Sequence, residues 1–77
     1  MNDQSRLNLH EAARRLAPDA IHEAEVAIAH AIEHGELAAN VKRWATEQWE
    51  GQQLPGNLNR LETWIAPAEL ARWAARR

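Results

Sequence analysis

The chain has 77 residues, with nine Lys or Arg against eleven Asp or Glu, a formal net charge of −2, four Trp, and no Phe, Tyr or Cys. That length suits one domain with a small core, and the lack of cysteine excludes disulfides and thiolate metal sites and favours a reducing, cytoplasmic setting. No apolar run approaches the roughly 20 residues that span a bilayer, so no membrane partner is expected.

The opening residues 1–6 are polar, with no apolar stretch behind them. They read as a disordered tail rather than a signal peptide. Asn8 suits an N-cap, and Glu11 stands three residues on, as in a capping box. The spacing of Leu9, Ala12, Ala13 and Leu16 predicts a first helix over about 9–17, stopped by Pro18. A second helix follows, with Ile21, Ala24, Ile28, Ala31 and Ile32 on one face. Its start is open between Pro18 and Glu23, and Gly35 suits its C-terminal end.

Residues 37–50 carry two signals. Leu37, Val41, Trp44, Ala45 and Gln48 have helical spacing, whereas Leu37, Ala39 and Val41 alternate as in a strand; periodicity favours the helix. Residues 51–60 read as a loop around the turn pair Pro55-Gly56. Leu61-Glu62-Thr63-Trp64-Ile65 alternates and reads as a short strand. Pro67 opens a last helix that turns Leu70, Trp73 and Ala74 inward, with Arg72, Arg76 and Arg77 toward solvent. Burial is expected for Leu9, Leu16, Ile28, Ile32, Ile65 and Leu70, and exposure for the Pro55-Gly56 turn.

The order of these signals carries a resemblance. Leu9-His10-Glu11-Ala12-Ala13-Arg14-Arg15-Leu16 opens the domain, and Ile32-Glu33-His34-Gly35-Glu36-Leu37 closes the second helix. A Pro-Gly turn and Thr63-Trp64-Ile65 then lead into Ala66-Pro67-Ala68-Glu69-Leu70-Ala71-Arg72-Trp73. This resembles the excisionase-like and MerR-like winged-helix domains. The resemblance implies a mainly α, α+β domain over 7–77: helix-turn-helix-like helices, a small β-hairpin wing and a C-terminal helix. It also implies that residues near 38–48 begin as a wing strand, against the helical spacing, and that Trp64 and Trp73 belong to the core.

The usual activity of such domains is DNA binding through the second helix. Here that helix departs from the pattern. Over 22–34 it has three Glu and three His, and no Lys, Arg, Asn, Gln, Ser or Thr. Base edges are read mainly by Arg, Lys, Asn and Gln, and carboxylates facing phosphates repel them.

Candidate chemistry is sparse. His30 and His34 have the i, i+4 spacing of metal ligands but lack the further ligands a tetrahedral site needs, and HExxH is absent. No metal or cofactor is expected. The carboxylate pairs have no enclosed pocket implied around them, and no nucleophile triad or phosphate loop is present, so no catalytic residue is assigned. The charges are divided: three cationic side chains against seven anionic ones in residues 1–37, six against four in 38–77.

The expectation is therefore a small non-enzymatic adaptor or inhibitor, of the sort common in phages and mobile elements; an inhibitor of a host defence complex is one version. Glu23, Glu25 and Glu33 would dock on a basic patch of a larger protein, with Trp44 or Trp49 as anchor. The alternative is an excisionase-like or transcription-regulating DNA binder using Lys42, Arg43 and Arg60 on the wing, with homodimerisation doubling the basic surface.

Overall fold

Asn8 fixes where the first helix begins. In the computed structural model, which describes residues 6–44 and 54–76, its side chain accepts from the Glu11 N–H at 2.7 Å, and the Glu11 carboxylate accepts from the Asn8 N–H at 3.0 Å. Two orphan donors are thus satisfied reciprocally, as the sequence predicts. Helix α1 runs Leu9–Leu16. Leu9, Ala12 and Ala13 are buried, and Leu16 is half-buried against the same core.

Helix α2 runs Ile21–Glu33 and starts between the two positions the sequence left open. Its end is set by Gly35, whose φ of +77° places it in the left-handed region. The Gly35 N–H then reaches the Ile32 carbonyl at 3.1 Å and the Glu36 N–H reaches Ala31 at 2.8 Å, a paired Schellman closure. Ala24, Ile28, Ala29 and Ala31 are buried along this helix. Alanines on both helices permit close approach of α1 and α2.

Strand β1 is Leu7–Asn8 and strand β2 is Trp64–Ile65, paired antiparallel with Leu7 opposite Ile65 and Asn8 opposite Trp64. On its other side Trp64 bridges Asn40, with N–H···O distances of 2.8 and 2.9 Å in the two directions. The chain after α2 is therefore extended over 40–44, and a second bridge joins Arg43 to Leu58. This overturns the helical reading of 37–50 as far as Trp44. The reason is tertiary: Leu37 is buried while Val41 and Trp44 are exposed, so the three do not share a face. The rest of that stretch, with Trp49, lies outside the described residues, as do residues 1–5 of the expected tail and Arg77.

A short 3-10 turn at Pro55–Asn57 carries the expected Pro-Gly turn; Gly56 is exposed and has φ +74°. Only part of the 61–65 strand forms. Asn59 is buried, and its side-chain oxygen accepts from the N–H groups of Leu61 (3.0 Å) and Glu62 (3.2 Å), bending 60–62 into a turn. Leu61 is left 55% exposed. Helix α3, Pro67–Ala75, begins with proline in its first turn, as expected. Leu70 and Trp73 close the core over Ile28 and Ile65, all four being buried. Trp64 is only half-buried, contrary to the expectation, with the Arg6 guanidinium 5.5 Å from its ring centre. The result is a small α+β fold of three helices and a two-stranded antiparallel pair.

Thr63 joins the two arms where backbone pairing is interrupted. It is fully buried; its hydroxyl accepts from the Lys42 N–H at 3.1 Å and donates to the Lys42 carbonyl at 3.0 Å. Thr63→Val keeps the shape and removes both bonds. Urea denaturation is expected to show a loss of about 1–3 kcal/mol, with Thr63→Ser retaining most of the wild-type value.

Candidate functional site

Two polar clusters sit beneath the extended 40–44 segment and the turn that precedes β2. The first is centred on Glu25. A carboxylate in the second turn of α2 would ordinarily face water, but Glu25 stands four residues after Ile21 and three before Ile28, on the apolar stripe. It is 4% exposed. Burial of an ionised carboxylate requires compensation, and three cationic or polar partners supply it. Arg60 Nε lies 3.1 Å from Oε2, His10 Nδ1 lies 2.7 Å from the same oxygen, and His22 Nδ1 is 3.4 Å from Oε1. The His10 N–H, one of the donors left over at the start of α1, also donates to the Arg60 carbonyl at 3.1 Å. One carboxylate thus joins α1, α2 and the turn before β2.

The expected acidic face of Glu23, Glu25 and Glu33 therefore does not exist as a single surface. Residues two apart on a helix point away from one another, so Glu23 is exposed where Glu25 is buried. Glu33 is exposed as a residue but pairs with Arg43, Nη2 to Oε2 at 3.0 Å. That contact forms the second cluster. Arg43 Nη1 also donates to the Gly56 carbonyl at 2.6 Å, so α2, the 40–44 segment and the Pro-Gly turn meet at one guanidinium. The φ of +74° favours glycine at position 56, where a Cβ would also lie 2.5 Å from Glu33 Cδ and 2.6 Å from Arg43 Nη1, the mobile ends of two long side chains.

These contacts also reassign the basic residues expected on a nucleic-acid-binding wing. Arg60 is mostly covered and engaged with Glu25, and Arg43 is engaged with Glu33 and Gly56. Lys42 is exposed, with its backbone held by Thr63 and Asn59. The structure brings Lys42, Arg43 and Trp44 together on one segment and sets Arg60 apart, in the turn before β2 against Glu25. Val41 and Trp44 are 37% and 38% exposed and lie three residues apart on this segment. Trp44 stands out in the sequence as one of four Trp in a small chain, whereas Val41 enters it only as a member of the helical and alternating spacings. Sequence reasoning passed over His10 as the partner of Glu25, although the place of Glu25 on the apolar stripe was a readable signal.

An open groove of about 780 Å³ lies between α2 and α3, lined by Ala27, His30, Ala31, His34, Glu36, Trp73 and Arg76. The His30 and His34 rings stand 5.7 Å apart. Among the described residues no three His, Asp or Glu side chains are placed to hold a metal ion. No helix among them is long and apolar enough to cross a membrane. No protein-family model, curated protein or solved structure matches the chain.

The two clusters predict different costs. Glu25→Ala removes the carboxylate shared by Arg60, His10 and His22, and urea denaturation is expected to show a loss of roughly 3–5 kcal/mol, whereas Glu23→Ala stays within about 0.5 kcal/mol. Equal effects would contradict the geometry around Glu25. Gly56→Ala places an L-residue in the left-handed region and crowds the Glu33–Arg43 pair; a loss of at least about 1–2 kcal/mol is expected in the same assay.

Proposed function

We propose that this chain is a small non-enzymatic protein-binding module, an adaptor or inhibitor that acts by covering a surface of its partner. The observation that carries the reading is the exposure of Val41 and Trp44 on one extended segment, while Leu37, Leu54 and Leu58 around it are buried. Exposed aromatic side chains on a firmly held backbone are the anchors that interfaces favour. The segment is held by Thr63, by the Asn40–Trp64 bridge and by the Arg43 clamp, so a partner would meet it with little ordering cost.

Catalysis draws no support from the polar clusters. The Glu25 carboxylate is engaged by three partners, and the groove beside His30 and His34 is open to solvent rather than a desolvated pocket. DNA binding through the wing draws little. Of Lys42, Arg43 and Arg60, two are neutralised by carboxylates of α2, and Lys42 remains. A positively charged track is what nucleic-acid affinity requires. The exposed surface of α2 itself carries His22, Glu23, His30, Glu33 and His34.

Photo-cross-linking tests the reading. A photoreactive phenylalanine derivative is placed at position 44, and in a control at position 23, of the full chain, which is then exposed to native lysate of the source cells. A discrete protein adduct from position 44, weaker from 23, is expected. Wild-type protein is expected to give no gel shift of its own upstream DNA at micromolar concentration. A specific shift at nanomolar protein, abolished by Lys42→Ala, would contradict the reading and favour the DNA binder.

A further inference from the structure

The hydrogen bonds of the 40–44 segment fall on one side only. Asn40 exchanges both of its backbone bonds with Trp64. Lys42 gives its N–H to the Thr63 hydroxyl, and its carbonyl accepts from Asn59 at 2.7 Å and from Thr63. Trp44 donates to the Asn57 carbonyl at 3.0 Å and accepts from the Asn57 side chain at 3.4 Å. These three residues point their backbone groups inward, toward 57–64. In extended chain the direction alternates with each residue, so Val41 and Arg43 point theirs outward. Among the described residues neither backbone N–H nor carbonyl of Val41 or Arg43 has a hydrogen-bond partner. The result is a short sheet edge, free among the described residues, along which Asn40, Val41, Lys42, Arg43 and Trp44 are all exposed.

We propose that this edge takes up an extended segment of a partner protein as an added β-strand, with a carboxylate of that segment set against Lys42 and apolar side chains against Val41 and Trp44. The proposal rests on the protein-binding reading and specifies its mode. Main-chain bonds to Val41 and Arg43 supply adhesion, and side chains on alternate positions supply selection. Charge decides the occupant. Residues 40–44 hold no anion, and of their two cations Arg43 is paired with Glu33, so Lys42 carries the charge of the edge. An antiparallel pairing of two copies centred on Lys42 would set lysine opposite lysine, which is destabilising; an edge lysine is a common device against such self-pairing. An acidic, β-favouring segment faces no such opposition.

The test uses the full chain and a displayed library of random octapeptides. Selection on the wild type is expected to enrich peptides with Asp or Glu flanked by Val, Ile, Thr or aromatic residues. Selection on Lys42→Glu is expected to shift the central preference to Lys or Arg. A selected peptide is expected to slow amide exchange at Val41 and Arg43 at least tenfold, with those two positions changing most. No enrichment, an enrichment indifferent to Lys42→Glu, or a bound peptide that leaves both amides unprotected overturns strand addition. A chain that dimerises by itself, with both amides already protected, overturns it in favour of a second copy. Synthetic chain N-methylated at Val41 and Arg43 separates the two readings. A partner adduct from position 44 that survives N-methylation keeps protein binding and rejects strand addition; absence of any adduct from the unmethylated chain carrying the photoreactive residue at position 44 rejects protein binding independently of the peptide selection.

Discussion

A single buried carboxylate holds this fold in register. Glu25 sits on the face of α2 where the helical repeat calls for an apolar side chain, and it is tolerated there because Arg60, His10 and His22 converge on it. A buried ion pair of this kind adds little net stability, since the desolvation of its members offsets their attraction. Its consequence is selectivity. Any packing of α1, α2 and the turn before β2 that fails to bring these partners together strands a charge away from water. In a chain with so small a core, hydrophobic contact alone discriminates poorly between neighbouring helix rotations; the Glu25 cluster supplies the discrimination.

From that anchor the 40–44 segment is positioned. Arg60 lies three residues before Thr63, and Thr63 fixes Lys42 by two hydrogen bonds through its hydroxyl. At the other end of α2, Glu33 holds Arg43, which in turn grips the Gly56 carbonyl. The strand segment is thus tied to α2 at one position and to the returning chain at the next. Two carboxylates of one helix, Glu25 inside and Glu33 at the rim, take up two arginines that would otherwise advertise a phosphate-binding surface. Glu25 and Glu33, which looked like part of a docking face in the sequence, fasten the fold internally, and the edge they leave outward carries Lys42, whose side chain has no ion-pair partner among the described residues.

Local signals were legible. The capping box at Asn8 and Glu11, the Gly35 helix end, the Pro67 start and the burial of Leu9, Ile28, Ile65 and Leu70 all follow from chemistry within a few residues. Non-local pairing was not. The spacing of Leu37, Val41 and Trp44 suits a helix, and only the partners Trp64, Leu58 and Thr63, some twenty residues on, make it extended. The fate of Glu25 lay between these cases: its position on the apolar stripe was readable, while the identity of its partners depended on tertiary contact. Leu61 was misplaced because the competing Asn59 turn is a side-chain effect that alternation does not register.

The 40–44 segment is extended, with one edge occupied and the other without a backbone partner among the described residues, and native-state hydrogen exchange of its amides in the unliganded protein measures this most directly. Alternation is the predicted result, with slow exchange at Asn40, Lys42 and Trp44 and fast exchange at Val41 and Arg43. Uniformly fast exchange across all five would contradict the strand, and uniform protection would contradict the free edge.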